Sequence, residues 1–334
     1  MRFFIRLHSH QCGVPHLSRM NDTTVHVAVG VVRNTANEIL IAQRPDGVHQ
    51  GGKWEFPGGK VRPGETTAQA LVRELHEEVG INVTVARPLI QIRHIYTDKQ
   101  VWLDVWQIDS FTGSPRGCEN QPVRWCPQEN LAEYEFPAAD RAILQAVNLP
   151  DRYLITGAFD SEAHFHARLE RCLQAGITLV QFRAKTMDPT AYARMAGRVI
   201  EHCHEHAARI LLNADPAVAE QLDADGVHLT SSQLMALDGR PLAQEKLVAA
   251  SVHNLDQLQQ ANRCGVNFSV IAPVLATRSH AGATSLGWEA FATLAGAANH
   301  PVFALGGLDT QHLTRIWQQG GQGVAAITSL WEAG

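Results

Sequence analysis

Three carboxylates stand close together at Glu74, Glu77 and Glu78. Their spacing is i, i+3 and i+4, which puts all three on one face of an α-helix. Like charges so placed repel, and a hard divalent cation is a natural partner for them. Mg²⁺ suits the set, because it takes a few carboxylates and keeps positions for water and phosphate oxygens. Taken alone, such a triplet is more often a solvated acidic helix face. Leu71, Val72, Leu75 and Val79 form an apolar stripe roughly 120° round from the acidic face, at about 100° per residue. The spacing therefore predicts a helix over 66–79 that buries one side and displays carboxylates on another. Thr66 or Thr67 can cap its start, and Gly80 suits the position just past its end.

A second set of candidates lies in the other half of the chain. Gln181, Arg183 and Lys185 follow one apolar run, Asn213 follows another, and Gly306-Gly307 follows a third. A Gly-Gly step lets backbone approach a phosphate closely, and a helix N-terminus beyond it favours the anion. Between these sets, the run Glu201–His206 holds His202 and His206 at i, i+4. Two such histidines could share a metal, although the run also reads as the wet face of a surface helix. Cys118 and Cys126 lack a structural-zinc pattern.

The elements that must position these residues follow from the patterning. In the first half, 25–32 and 38–44 read as strands, and 89–96 with 101–108 as a strand pair joined by a turn. A second helix is expected over 137–147. From 152 the rhythm becomes strand, helix, strand, helix. Candidate strands are 153–156, 179–183, 209–212, 226–229, 247–252, 268–274, 302–306 and 323–328, with helical patterns such as 164–176 and 255–265 between them. Eight strands alternating with helices suggest a (β/α)8 barrel, with a doubly wound open sheet as the alternative. Candidate ligand residues at the ends of these strands would sit where a barrel builds its site.

Length and composition agree with this layout. A chain of 334 residues suits about two domains. Hydrophobic residues are 45% and charged residues 18%, which excludes disordered, fibrous and coiled-coil classes. No uncharged apolar run approaches the ~20 residues that span a bilayer. The net charge is −5 and neither half has a basic excess, so a nucleic-acid-binding surface is not expected. Six cysteines without a C-x-x-C pair read as reduced thiols, and a cytoplasmic location is expected. Residues 1–22 are expected to be a disordered lead-in without a secretory pattern. Residues 23–148 and 149–334 form the two expected domains.

From Gly59 to Ile81 the chain reads G-x5-E-x7-R-E-U-x-E-E-x-G-U, with U apolar. This resembles the Nudix box at every fixed position. The Nudix family hydrolyses nucleoside diphosphates linked to another moiety, with Mg²⁺ or Mn²⁺. The stretch Lys53–Lys60 (KWEFPGGK) looks like the MutT branch, which degrades 8-oxo-dGTP to the monophosphate and pyrophosphate. Arg44 followed by His49, Glu119 in ENQPVRW and Phe136–Asp140 (FPAAD) extend the likeness to about 24–147.

The resemblance implies an α+β domain, a mixed sheet sandwiched by helices, acting on a small-molecule nucleotide. It implies that the Gly58 and Gly59 backbone approaches metal and substrate. Glu74, Glu77, Glu78 and Glu119 would surround the metals, with Glu74 or Glu119 deprotonating or orienting water. Arg73 would hold Glu74 and pair with Glu65. Arg44 would contact phosphate and Phe56 would pack near the base, with His49, Glu55, Pro57, Gly58 and Asp140 also at the substrate. Water would attack the β-phosphorus while metal ions neutralise developing charge. Asp140 stands where MutT-like proteins usually have asparagine. An ionised aspartate only accepts hydrogen bonds. It can take the N7–H of 8-oxoguanine but cannot donate to O6 without a proton. A helix N-cap is the alternative role for it.

Residues 152–330 resemble the thiamine phosphate synthase/TenI family of (β/α)8 barrels. In the synthase an Asn-Asp-Arg segment and two aspartates help bind the pyrimidine diphosphate and its Mg²⁺. Here Asn213-Ala214-Asp215 replaces the first, and Ala217 and Gln233 align with the two aspartates. Gln181, Arg183, Lys185, Asn213, Gly306 and Gly307 remain as a phosphate-ligand set. The expectation is a degenerate barrel that binds a phosphorylated ligand or is structural. Hydrolysis of a thiamine-pathway diphosphate, or residual synthase activity, is the alternative.

Overall fold

The computed structural model describes residues 6–7, 24–47, 50–96, 100–276 and 285–332. The expected lead-in 1–22 lies outside them except for β1 (Arg6–Leu7), whose backbone pairs with Val85 and Ala86. The chain divides into two units, Met1–Asn148 and Leu149–Gly334.

Side-chain alternation layers the first unit. Its remaining strands are β2 (Thr24–Val32), β3 (Glu38–Gln43), β4 (Trp54–Glu55), β5 (Gly58–Lys60), β6 (Asn82–Ile95), β7 (Gln100–Thr112) and β8 (Val123–Pro127). Its helices are α1 (Thr67–Val79) and α2 (Arg141–Val147). A five-stranded mixed sheet runs β1-β6-β7-β2-β5, and a three-stranded sheet runs β4-β3-β8. Along β2, Ala28 and Val32 join the core with Leu71, Leu75 and Val79 of α1. Val29 and Val31 join the opposite core with Ile143 and Val147 of α2. The sheet is thus covered by a helix on each face, the layering that buries both apolar sides.

Helix α1 starts and stops on local signals. Thr66 caps it in a reciprocal box with Gln69, and Gly80 leaves it in the left-handed region at φ 71°. Strand β6 is longer than the run 89–96. It begins at Asn82 and carries Pro88 at a register shift. A proline removes a ladder hydrogen bond, so it reads as a strand boundary unless a bulge absorbs it. The helix expected over 137–147 opens as a 3₁₀ turn, Ala138–Asp140, before α2.

The second unit is a closed parallel barrel. Its strands are β9 (Arg152–Ile155), β10 (Leu179–Phe182), β11 (Arg209–Leu212), β12 (Gly226–Leu229), β13 (Leu247–Val252), β14 (Phe268–Ile271), β15 (Val302–Leu305) and β16 (Gly323–Ala326). Each pairs with its sequence neighbour, and β16 returns to β9 through Ala325 opposite Tyr153. That closure excludes the open-sheet alternative. Tyr153, Leu179, Leu211, Ala249, Phe268, Phe303 and Ala325 fill one core, while Leu154, Val180, Ile210 and Leu212 meet the helices. Among those helices are α3 (Glu162–Gln174), α4 (Pro189–Glu205), α5 (Pro216–Gln221) and α6 (Ser231–Met235). No described helix is long and apolar enough to cross a membrane.

Candidate active site

Helix α1, strand β5 and two loops converge on a cavity of about 120 Å³. Glu55, Gly58, Glu74, Glu78, Glu119 and Gln121 line it, together with Gln43 and Pro45. Glu74 and Glu78 are one helical turn apart and reach it from α1. Glu119 arrives from a loop that the end of α1 anchors. Cys118 N–H donates to the Glu78 carbonyl at 2.9 Å, and Gln121 Nε2 donates to the same carbonyl at 3.0 Å. Gln121 Oε1 in turn accepts the Glu119 N–H at 2.9 Å.

The glycines of β5 bring backbone against these carboxylates. Gly58 N–H donates to Glu78 Oε2 at 2.8 Å. A Cβ on Gly59 would stand 2.3 Å from the Glu74 carboxyl carbon, so only glycine leaves that carboxylate where it is.

Arg73 is the cation of this neighbourhood, and it is fully engaged beside the cavity. Its Nε and Nη2 hold Glu65 in a fork at 2.7 and 2.8 Å, and its Nη1 donates to Glu74 Oε1 at 2.5 Å. Nη2 also donates to the Lys60 carbonyl at 3.1 Å. The fork holds the Glu65 carboxyl down at about 2 and keeps Arg73 charged. Glu77 is not among the lining residues. It lies between Arg73 Nη1 at 3.1 Å and Arg62 Nη2 at 3.3 Å.

Among the described residues no cationic side chain lines the cavity; Arg44 and Arg73 pair with Glu55 and Glu74 from beside it, while Glu78 and Glu119 make no such ion pair. Burial pushes the Glu78 carboxyl up to about 7; the Gly58 N–H opposes this, and the Glu55 and Glu119 charges add to it. This oxygen-rich donor set, only half of it paired with arginines, fits a hard divalent cation. Glu74, Glu78 and Glu119 would hold it.

The remaining candidates sit around this centre. Arg44 is ion-paired with Glu55, whose carboxyl is raised by burial against the pull of that guanidinium. Phe56, expected beside a base, is 3% exposed and stacks on Phe136 at 5.4 Å. The ring belongs to the α2-side core, with Ile143 and Val147. Pro57 is buried there too, and its carbonyl accepts the Gly30 N–H at 2.8 Å. His49 lies outside the described residues.

Asp140 is 8% exposed, and its side chain makes no capping hydrogen bond to α2. Burial pushes its carboxyl up to about 7, with Glu55 adding to the rise and Arg44 opposing it. Tyr96 meets the Ala139 backbone within reach of the Asp140, Arg44 and Lys53 charges. Sequence reasoning missed Tyr96 and Gln121; only their positions at a strand end and two residues past Glu119 hinted at them.

The raised Asp140 carboxyl has a consequence for stability. An unfolded aspartate titrates near ~3.9, so the native state binds this proton more tightly. Stability therefore falls as pH rises from about 4 to about 7 and is level above that. Asp140→Asn removes the titration. It is expected to raise Tm by several degrees at about pH 8, with the gain shrinking towards about pH 4. Melting curves across that range check it; a pH-independent difference would count against the buried carboxyl.

In the barrel, the phosphate-ligand candidates lie on or just after β10, β11 and β15. Gln181 is buried and donates to the Tyr153 hydroxyl at 3.4 Å, and Tyr153 meets His228 Nδ1 at 3.1 Å. Arg183 follows β10 and its backbone N–H donates to Thr156 Oγ1 at 2.9 Å. Lys185 is exposed. Asn213 Nδ2 donates to the His228 carbonyl at 2.9 Å. Gly306 and Gly307 follow β15 at φ 109° and 65°. Asp215 caps α5, and Gln233 closes the N-terminal box of α6 while donating to the Ala214 carbonyl at 3.0 Å.

The layered sheet with its acidic cavity, and the closed barrel after it, define a Nudix hydrolase of the MutT type joined to a thiamine-phosphate-synthase-like domain. The chain belongs to the NUDIX domain family through residues 28–146 and to the thiamine monophosphate synthase family through residues 152–330. It is 38% identical over 120 residues to the 8-oxo-dGTP diphosphatase of Escherichia coli (strain K12), covering 36% of this chain and 93% of that protein. It is 38% identical over 118 residues to the CTP pyrophosphohydrolase of the same strain, covering 35% and 87%. The thiamine-phosphate synthase of Synechococcus sp. (strain WH7803) is 33% identical over 175 residues, covering 52% of this chain and 50% of that protein. The chain thus spans about half the length of that synthase.

Proposed function

We propose that the first unit is a Mg²⁺-dependent pyrophosphohydrolase of nucleoside triphosphates, with 8-oxo-dGTP as substrate and 8-oxo-dGMP and pyrophosphate as products. The observation that carries this reading is the cavity lined by Glu55, Glu74, Glu78 and Glu119, of which arginines pair only Glu55 and Glu74. Bound there, Mg²⁺, or Mn²⁺ in its place, would neutralise phosphate charge and acidify the attacking water. The protein's own part is positional. Arg73 fixes the Glu74 carboxylate, and the Gly58 N–H fixes Glu78. Glu74 or Glu119 takes the proton of the water that attacks the β-phosphorus. Arg44 contacts the phosphates once substrate draws it from Glu55.

Asp140 reads the base. Protonated, it donates to O6 and accepts from N7–H of 8-oxoguanine. Ionised, it accepts from the exocyclic amine of cytosine. The second reading is therefore a cytosine nucleotide, favoured by the buried carboxylate and by the similarity to a CTP pyrophosphohydrolase. The test is the kcat/KM ratio of 8-oxo-dGTP to CTP in the native protein and in Asp140→Asn. An asparagine both donates and accepts, so the ratio is expected to rise by ~10-fold or more. An unchanged ratio would remove Asp140 from base reading.

We infer that the barrel has lost diphosphate displacement and serves as a phosphate-ligand or structural domain. Support comes from Ala217 and Gln233 at the two expected aspartate positions, with the Gln233 amide engaged in a helix cap. Hydrolysis of a thiamine-pathway diphosphate rests on the domain fusion alone.

A further inference from the structure

Away from both sites, helices α3 and α4 bring metal-competent side chains together. His166 and Glu170 lie one turn apart on α3. His202 lies in the last turn of α4 and His206 caps it. Each i, i+4 pair shares one face of its helix. Glu170 Oε2 stands 2.6 Å from His202 Nε2 and 3.1 Å from His206 Nε2. One ligand atom from each of the three lies within 4.8 Å of the others. Zinc held at ~2.0–2.2 Å by each ligand requires ligand atoms about 3.3 Å apart, within reach of small side-chain rotations.

The surroundings carry a second mark of a metal site. His202 Nδ1 faces His166 Nδ1 at 3.3 Å, and His166 Nε2 is buried without a hydrogen-bond partner. When Nε2 of His202 binds a metal, its Nδ1 carries the proton and needs an outer acceptor. His166 Nδ1 is that acceptor, with its own proton on the buried Nε2. The α4 C-terminus adds its partial negative charge. His204 points elsewhere and pairs with Asp225 at 2.9 Å.

We propose that Glu170, His202 and His206 form a second metal site, distinct from the acidic cavity, which takes Zn²⁺ with His166 as the positioning residue. Two imidazoles and one carboxylate suit a borderline cation, whereas Mg²⁺ prefers oxygen ligands. The two sites would therefore sort metals by ligand chemistry. The zinc ties α3 to the end of α4 and keeps a coordination position for water.

The test uses the full chain, stripped with a chelator and then dialysed against Zn²⁺ in a large excess of Mg²⁺. Retained zinc is measured by elemental analysis, and affinity by competition with a chromophoric chelator. One zinc per chain is expected. His202→Ala, His206→Ala and Glu170→Gln should each weaken it ~100-fold or more, and His166→Phe by ~10-fold. Glu78→Gln should retain the zinc, and circular dichroism should show each variant folded. Co²⁺ substituted for zinc should give visible bands that His206→Gln abolishes. Failure of the native chain to retain zinc would overturn the site. So would loss of zinc in Glu78→Gln with retention in the histidine variants, since that assigns the ion to the acidic cavity.

Discussion

Glu78→Gln is expected to lower kcat by ~10³-fold while the protein stays folded. Glu78 is the carboxylate most committed to the cavity. It reaches in from α1, and its Oε2 accepts the Gly58 N–H at 2.8 Å. A glutamine keeps an oxygen for that hydrogen bond, so β5 and α1 stay in register. It removes the charge that burial and the Glu55 and Glu119 carboxylates already strain. The loss therefore falls on metal binding and turnover. Steady-state rates across a Mg²⁺ titration, with melting curves beside them, check it. Unchanged turnover would remove the acidic cavity from the chemistry.

Gly59→Ala is expected to cost ~10²-fold in kcat with little change in Tm. The added Cβ would stand 2.3 Å from the Glu74 carboxyl carbon and 2.4 and 2.6 Å from its oxygens. Its obstacle is the far end of a flexible side chain, so the strand pairing of Gly59 with Ala28 survives. Glu74 must move instead, and it leaves its contact with Arg73. A drop in rate with an intact melting curve is the expected result. A drop in Tm with unaltered specific activity would mean that Gly59 serves folding rather than the site.

These outcomes separate what was legible in the sequence from what was not. Helix α1 was legible because its stripe, its Thr66 cap and Gly80 are local signals. The barrel strands were legible for the same reason, since each is a short apolar run between helical patterns. The division of labour among Glu74, Glu77 and Glu78 was not. It depends on Arg73, which is held by Glu65 and the Lys60 carbonyl, and which keeps Glu77 beside Arg62. The direction of the Phe56 ring was not legible either, because a motif gives none; its orientation comes from packing on Phe136. Glu170 escaped because its histidine partners lie 32 and 36 residues along the chain on a neighbouring helix. A spacing rule reaches only within one helix.

The most direct test of the central claim is product release by the full chain, with and without Mg²⁺, on 8-oxo-dGTP, dGTP, CTP and the aminopyrimidine and thiamine diphosphates. The account predicts metal-dependent release of pyrophosphate and a nucleoside monophosphate, with 8-oxo-dGTP favoured over dGTP. Turnover confined to the thiamine-pathway diphosphates would contradict it and would make the barrel, not the MutT-like residues, the guide to the substrate.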